Sequence, residues 1–261
     1  MTLTRKLIRG YHVLILDTIG STNDEAKRMA REGAPARSVV LARRQSAGRG
    51  RRGRAWQSPP GNLYASILLD VRARAHRAAE LSFVAALAVA DAIRRFAGSA
   101  RRVECKWPND VLLNGAKVAG VLLESEEGPA EAAVGGAEGL PSFLVLGIGV
   151  NIVCHPEADG YRATSLSAEG CQAPASEALL EALLAALNDW DSSWRVEGFA
   201  PIRAAWEARA KGLGGPIEVR TGADHLSGTF AGLDETGALR LALADGAERR
   251  LSAGEVFFED A

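Results

Sequence analysis

The sequence predicts an α+β protein in which strands and helices follow one another in mixed order before a short all-β region. Runs of β-branched and other apolar residues predict the strands, and helical spacing of apolar residues over 78–96 and around 180–194 predicts amphipathic helices. After a glycine-rich break at 212–216, short alternating segments predict a barrel of about 45 residues. The expected domains are 1–212 and 213–261.

The first elements are a strand at 11–17 and a helix at 22–31. Thr22 and Glu25 have the spacing of a capping box, so we expect Thr22 at the N-cap and Glu25 three residues later. Further strands are predicted at 38–42, 63–69, 102–106 and 110–113.

Two later strands, at 117–124 and 142–150, are almost continuously apolar, which is typical of strands buried on both faces. Residues 125–141 between them have loop composition and predict a long, mobile connection. A short helix at 199–210 ends the first domain. Strands of the second domain are expected at 217–220, 226–232, 238–243, 248–252 and 255–259.

Composition limits the function classes. The 261 residues are 47% hydrophobic and 24% charged, with a formal net charge of −1, so a general nucleic-acid or anionic-membrane binder is disfavoured. Cys105, Cys154 and Cys171 lack the spacing of a zinc site or CxxC motif, which favours a reducing cytoplasm. The apolar run at 13–16 is too short for a signal peptide or membrane span.

The most informative segment is the loop from Gln45 to Trp56, where Arg49, Arg51, Arg52 and Arg54 are interleaved with glycines. Glycine lets the backbone approach a ligand closely, and arginine supplies permanently charged, forked donors for phosphate or carboxylate. A surface loop rich in arginine is the alternative. The regular alternation favours a loop that closes over an anion.

Three other segments carry candidate chemistry. The helix start at Ser21-Thr22-Asn23 serves either as a cap or as a donor set for a polar ligand. The second segment is Lys106-Trp107-Pro108-Asn109-Asp110. Its last two residues either form an Asx turn, or bind a divalent metal or orient a base. Lys117 leads into an apolar strand, where an ammonium is costly without an anionic partner. Gly120 leaves room for a close approach to the backbone.

In this order and spacing the segments closely resemble the biotin protein ligases, over about residues 12–155. The matching segments are Ser-Thr-Asn at 21–23, Gln-Ser-Ala-Gly-Arg-Gly-Arg-Arg-Gly-Arg-Ala-Trp at 45–56, Ser-Pro-Pro-Gly-Asn-Leu-Tyr at 58–64, Lys-Trp-Pro-Asn-Asp at 106–110, Lys-Val-Ala-Gly-Val-Leu-Leu-Glu at 117–124 and Gly-Ile-Gly-Val-Asn at 147–151.

The resemblance implies a mixed-sheet catalytic domain similar to class II aminoacyl-tRNA synthetases, followed by an SH3-like barrel. It implies a ligase that uses ATP and Mg²⁺ to convert biotin to biotinyl-5′-AMP and then transfers the acyl group to a lysine of a biotin carboxyl carrier protein, such as that of acetyl-CoA carboxylase. The family often dimerises through sheet edges, so a homodimer is a further expectation.

The resemblance also implies roles for single residues. Lys117 and Arg51 would be catalytic, and both would contact the carboxylate and the nucleotide phosphate. Trp56 and Asn151 would lie on the nucleotide side, and Asn109 with Asp110 would help to place Mg²⁺. The biotin site would comprise Ser21, Thr22, Asn23, Gln45, Arg49, Gly50, Arg51, Lys117 and Gly120.

Two alternatives remain at this point. A lipoate or octanoate ligase or transferase shares the catalytic fold, and a non-enzymatic nucleic-acid-binding module would use the arginines at 43–54. Some family members carry an N-terminal helix-turn-helix that represses biotin genes. Because the catalytic pattern here begins by residue 11, we expect a monofunctional ligase without a role in DNA binding or membrane attachment.

Overall fold

The computed structural model describes residues 3–70, 77–126, 143–157, 161–222 and 224–258. The first part contains the strands β1 (Leu3–Ile8), β2 (Tyr11–Ile19), β3 (Ser38–Gln45), β4 (Leu63–Asp70), β5 (Val103–Lys106), β6 (Asp110–Leu113), β7 (Ala116–Glu126) and β8 (Phe143–Val150). Its helices are α1 (Thr22–Arg31), α2 (Leu81–Ala97), α3 (Ser176–Glu197) and α4 (Phe199–Glu207).

The eight strands form one mixed sheet in the order β1-β2-β3-β4-β8-β7-β6-β5. β2 and β3 run parallel, with α1 as the crossover between them, and the other neighbouring pairs are antiparallel. The predicted mixed sheet flanked by helices is therefore confirmed.

Helices cover both faces of this sheet. On one face α1 packs with Leu16, Val40 and Leu68, whereas on the other face Val39 and Leu41 join the larger core with α2 and α3. The alternation along β3 follows from the two-residue period of a strand. The strand pattern in the sequence thus fixes which residues lie beneath α1.

β8 creates the space in which the candidate site lies. One face of this strand contributes Leu146 and Ile148 to the larger core, and the opposite face continues from the buried Val145 to Gly147 and Gly149. Gly147 lies close to Asn23 at the N-terminus of α1, and Gly149 lies close to the ring of Trp56. Without side chains there, the sheet leaves room for polar groups to pack against its backbone.

The second part is an antiparallel sheet in the order β12-β11-β10-β9-β13. Its strands are β9 (Pro216–Arg220), β10 (His225–Leu233), β11 (Leu239–Ala242), β12 (Glu248–Leu251) and β13 (Glu255–Phe258). Within the described residues the two edge strands, β12 and β13, do not pair with each other, so the expected barrel is not closed. Trp107 joins the two sheets, because its buried indole Nε1 donates to the carbonyl of Gly237 at 3.2 Å.

The capping box predicted at the start of α1 is wrong. The N-cap residue is Ser21, whose side chain makes no capping hydrogen bond. The Thr22 hydroxyl instead donates to Gln45 Oε1 at 3.0 Å and lies 2.8 Å from Ser66 Oγ, while Arg28 binds the carboxylate of Glu25. Tertiary contacts therefore replace the local cap.

Three further predictions need revision. β1 was not predicted at all. β7 is not buried on both faces, because Lys117 and Leu122 line a cavity, and it continues through Ser125 and Glu126 into the predicted loop. The rest of that predicted loop lies outside the described residues. No helix in the described part of the chain is both long and apolar enough to cross a membrane.

Candidate active site

An open cavity lies in front of the sheet, between the N-terminus of α1, the arginine-rich loop at 45–56 (the arginine loop) and β13. Of the predicted site residues all except Asn151 line it, namely Ser21, Thr22, Asn23, Gln45, Arg49, Gly50, Arg51, Trp56, Asn109, Asp110, Lys117 and Gly120. Asn151 is buried behind the cavity, where its Nδ2 donates to the carbonyl of Thr164 at 3.0 Å.

The arginine loop is a compact, hydrogen-bonded turn. The Gly50 N–H donates to the Arg54 carbonyl at 2.7 Å, and the Trp56 N–H donates to the Gly48 carbonyl at 2.9 Å. Gly48 cannot carry a side chain, because a Cβ there would lie 2.5 Å from both Ser58 Oγ and the Trp56 carbonyl oxygen. The glycine at 48 thus allows the loop to fold back on itself and present its arginines on the cavity side.

Three loop arginines are each held by a different element. Arg49 makes a bidentate ion pair with Asp24 of α1 at 2.5 and 2.6 Å. Arg51 donates to Asn109 Oδ1 at 3.2 Å, and burial followed by repulsion from Arg52 lowers the pKa of its guanidinium. The third, Arg54, reaches the second sheet.

The contact of Arg54 with Glu255 of β13 is bidentate, at 2.5 and 2.6 Å. Hydrogen bonds from the guanidinium hold the pKa of the Glu255 carboxyl below its usual range. Glu255 and the adjacent Gly254 line the cavity, yet neither was predicted as a site residue. The second sheet therefore contributes to the wall of the candidate site.

A polar network forms the floor of the cavity beside α1. Gln45 Oε1 accepts from both the backbone N–H of Thr22, at 2.8 Å, and its hydroxyl, and Gln45 Nε2 donates to Ser58 Oγ at 2.9 Å. The fully buried Ser66 hydroxyl lies 2.8 Å from Thr22 Oγ1 and 2.5 Å from Asn23 Oδ1. These contacts fix the orientation of both amide side chains.

Glu124 of β7 completes the network. Its carboxylate accepts from Asn23 Nδ2 at 2.6 Å and pairs with Lys27 at 2.9 Å. Burial raises the pKa of Glu124, but the hydrogen bonds from Asn23 and Lys27 outweigh it, so the net pKa lies below the usual value. An ionised Glu124 thus holds the amide of Asn23 in one orientation.

We expect Ser66→Ala to lower the free energy of unfolding by about 1–3 kcal/mol, because the buried Oδ1 of Asn23 loses its donor. Urea titration would measure this change. Ser193→Ala is the control, since the Ser193 hydroxyl also donates to a side-chain acceptor, Glu197, but at the surface. An equal loss in the two variants would contradict the role given to the buried network.

Trp56 covers the glycines of β7 and β8. Gly120 and Gly149 are paired directly across the two strands, and a Cβ at Gly149 would lie 2.5 Å from the Trp56 ring. The expected close approach at Gly120 is thus made by this indole within the chain itself. Among the described residues the buried Trp56 Nε1 has no hydrogen-bond partner, so its N–H is free to meet a ligand acceptor.

Lys117 forms part of the cavity wall. Its Nζ is 2.7 Å from Asp110 Oδ1 and about 5.5 Å from the ring centroids of Trp56 and Tyr161. Tyr161, which was not predicted, is brought there because the backbone of 162–164 hydrogen-bonds with Lys117. The ammonium therefore has the anionic partner that its place in the strand requires.

Asn109 and Asp110 do not form a built metal site. Asn109 Oδ1 accepts from Arg51, its Nδ2 donates to the Val121 carbonyl at 2.6 Å, and Asp110 is paired with Lys117. Asn109 Oδ1 and Asp110 Oδ1 thus each already have a cationic partner. In the described residues no group of three or more His, Cys, Asp or Glu side chains could hold a metal ion.

Comparison with known proteins assigns the family. Residues 16–137 match the model of the Biotin/lipoate A/B protein ligase family, and residues 212–259 match that of the Biotin protein ligase C terminal domain. A Biotin--[acetyl-CoA-carboxylase] ligase from Paracoccus denitrificans is 45% identical, over 91% of this chain and 97% of the relative. The chain belongs to the biotin protein ligase family.

Solved biotin protein ligases have the same fold. The enzyme from Aquifex aeolicus, in complex with biotin and ATP, superposes with a TM-score of 0.77 at 26% identity, covering 94% of this chain and 97% of that one. The Leishmania major enzyme in complex with biotinyl-5-AMP gives 0.63 at 28% identity, covering 92% and 98%. The resemblance seen in the sequence motifs therefore extends over both sheets.

Proposed function

We propose that this protein activates biotin with ATP as biotinyl-5′-AMP and transfers the biotinyl group to a lysine of a carrier protein. The observation that carries the proposal is that the loop arginines and Lys117 line the same cavity, linked through the neighbouring residues Asn109 and Asp110. The name of the Paracoccus relative and the ligands of the Aquifex structure support this choice of substrates.

The biotin end of the cavity is assigned to the polar floor. Ser21, Thr22, Asn23 and Gln45 offer hydroxyl and amide groups suited to the ureido ring, and Gly120 lines the same cavity beneath the Trp56 indole. The network through Ser66 and Glu124 holds these groups in place before the ligand arrives, which lowers the entropic cost of binding.

The acyl-phosphate end is assigned to the cations. Arg49, Gly50 and Arg51 would bind the biotin carboxylate and then the adenylate phosphate, with Lys117 contacting the same oxygens. Positioning and charge neutralisation supply most of the catalysis in phosphoryl transfer, and the site needs no covalent nucleophile. The free N–H of Trp56 suits the nucleotide side, whereas Asn151 would act only from behind the cavity wall.

Mg²⁺ is assigned to ATP and not to the protein. The ion binds nucleotide phosphates readily while keeping several waters, so it does not require a cage of protein ligands. Asn109 and Asp110 fit the expected metal role poorly, because Arg51 contacts Oδ1 of Asn109 and Lys117 contacts Oδ1 of Asp110. They are better described as residues that orient those two cations.

We expect Arg51→Ala to release biotinyl-5′-AMP about tenfold faster while leaving its formation measurable, since one charge-assisted contact to the phosphate is lost. Dissociation of preformed intermediate, followed in a filter assay, would test this. Arg44→Ala is the control, because Arg44 is an exposed arginine of the neighbouring strand β3 that does not line the cavity. Equal off-rates for wild type and Arg51→Ala would contradict the assignment.

Mass spectrometry of a carrier domain incubated with the protein, ATP, Mg²⁺ and biotin tests the function directly, with an expected gain of one biotinyl group on one lysine. ATP–pyrophosphate exchange with biotin or lipoate separates the two ligase classes. Exchange with lipoate alone would overturn the biotin proposal, and steeply salt-dependent DNA or RNA affinity without exchange would favour the nucleic-acid alternative.

The proposed partner is a biotin carboxyl carrier domain, and the proposed compartment is the cytoplasm. All three cysteines are free thiols, in keeping with a reducing environment. β1 is an edge of the larger sheet and presents an exposed Leu7, so strand pairing at this edge is the proposed mode for a homodimer or a docked acceptor.

A further inference from the structure

Six cationic side chains line the cavity but only two carboxylates do, among the residues that the structure describes. The carboxylates, Asp110 and Glu255, are each already paired, with Lys117 and Arg54 respectively. The cavity therefore carries a surplus of positive charge that a polyanionic ligand would neutralise. The cations are Arg49, Arg51, Arg52, Arg54, Lys106 and Lys117.

Lys106 differs from the other five. Arg49, Arg54 and Lys117 are in ion pairs, Arg51 is hydrogen-bonded to Asn109, and Arg52 is exposed. Lys106 is half-buried, and its ammonium has no hydrogen bond or ion pair with any described residue. A buried ammonium without an anionic partner is costly, so the position indicates an anion supplied from outside.

The surroundings of Lys106 are built from both sheets. Its Nζ lies 5.7 and 5.6 Å from the ring centroids of Phe257 and Phe258 on β13, and its backbone is paired with Asp110 across β5 and β6. Burial lowers the pKa of this ammonium, and the charge of Lys117 acts in the same direction, whereas Asp110 and Glu255 oppose both. The two rings hold the Lys106 ammonium at the cavity wall without neutralising its positive charge.

We propose that Lys106 binds the β- and γ-phosphates of ATP and neutralises the pyrophosphate that leaves during biotin activation. This rests on the proposed function. In that step a carboxylate oxygen forms a bond to the α-phosphorus, the bond from the α-phosphorus to the bridging oxygen breaks, and the electron pair leaves with pyrophosphate. Lys106 on β5 and Lys117 on β7 lie on either side of Asp110 on β6. The α-phosphate of ATP would therefore contact Lys117, and the β- and γ-phosphates would contact Lys106.

Lys106→Met tests this assignment, because methionine keeps an unbranched chain against the two rings and removes only the charge. We expect the KM for pyrophosphate in biotin-dependent ATP–pyrophosphate exchange to rise about tenfold or more. Transfer from preformed biotinyl-5′-AMP to a carrier domain involves no pyrophosphate and should stay within about twofold of wild type. Lys106→Arg, which keeps a cation, should recover part of the affinity.

Lys211→Met is the matched control. Lys211 Nζ also lies 5.6 Å from the Phe258 ring centroid, but this residue does not line the cavity. Its KM for pyrophosphate should be that of wild type. A change shared by both lysine variants, or an equal loss of transfer in Lys106→Met, would overturn the proposal and indicate a structural role.

A measurement on the unaltered protein avoids any dependence on folding of the variant. Acetic anhydride labelling followed by peptide mass spectrometry should show Lys106 protected by magnesium pyrophosphate, and Lys211 not. Unprotected Lys106 would overturn the proposal. If wild type shows no biotin-dependent exchange at all, the proposed function itself fails, which the same assay distinguishes from an unchanged KM in Lys106→Met.

Discussion

Replacing Lys117 by alanine is expected to slow formation of biotinyl-5′-AMP by about 10²–10³-fold, the range found when one preorganised donor to a developing charge is removed. Lys117 lines the cavity, with its ammonium beside Asp110, Trp56 and Tyr161. Its loss leaves the reacting oxygens without that charge and leaves Asp110 unpaired near an incoming anion. Biotin-dependent ATP–pyrophosphate exchange measures the effect.

Arg209→Ala controls for the loss of a partly buried ion pair. Arg209 pairs with Asp91 at 2.8 Å, and 20% of its side chain is exposed against 21% for Lys117, but it lies away from the cavity. We expect its exchange rate to stay near that of wild type. Synthesis of biotinyl-5′-AMP at the normal rate by a folded Lys117→Ala protein would show that the role given to this lysine is wrong.

A methyl group at Gly149 is the second change with a large expected effect. In Gly149→Ala the new Cβ would lie 2.5–2.7 Å from three atoms of the Trp56 ring, so the indole must leave the backbone of β7 and β8 and move into the cavity. We expect a loss of about 1–3 kcal/mol in the free energy of unfolding. Adenylation should fall about 10–100-fold, because the ring then obstructs the site.

The double variant Gly149→Ala/Trp56→Ala isolates the steric cause. With the indole removed, the added methyl should cost almost nothing in stability, and a double-mutant cycle measured by urea unfolding gives the coupling. Gly222→Ala is the control, since a Cβ there meets nothing within 4 Å. Additive effects of the two changes would contradict the contact between Gly149 and Trp56.

Much of the fold could be predicted from the sequence because its elements carry strong local signals. β8 and α2 have long apolar patterns, and β2 and β3 contain short runs of β-branched and other apolar residues. β1 could not be predicted, because three of its six residues are polar, Leu7 is exposed, and only pairing with β2 defines it as a strand. The cap of α1 was misassigned for a similar reason, since Thr22 is engaged by Gln45 and Ser66, which are distant in the sequence.

The residues of the candidate site likewise fall into those that the sequence indicated and those that only the structure revealed. Motifs indicated the loop arginines, Lys117 and the helix start because each combines unusual residue types at short spacing. Tyr161, Gly254 and Glu255 carry no such pattern, and only the packing of the second sheet and of 161–164 brings them to the cavity. Asn109 and Asp110 have residue types that suit a metal, and only their contacts with Arg51 and Lys117 argue against it. Residue types at short spacing can be recognised in the sequence, whereas the contacts that these side chains make with distant residues are known only from the tertiary structure.

The ion pair between Arg54 and Glu255 has a consequence for energetics. It fastens the anion-binding loop to the last strand of the smaller sheet, so any ligand that reorganises the loop also changes the free energy of that inter-sheet contact. Thermodynamic linkage makes such an influence reciprocal. A protein that docks on the smaller sheet would therefore alter how tightly the adenylate is held, by the same factor with which the adenylate alters docking.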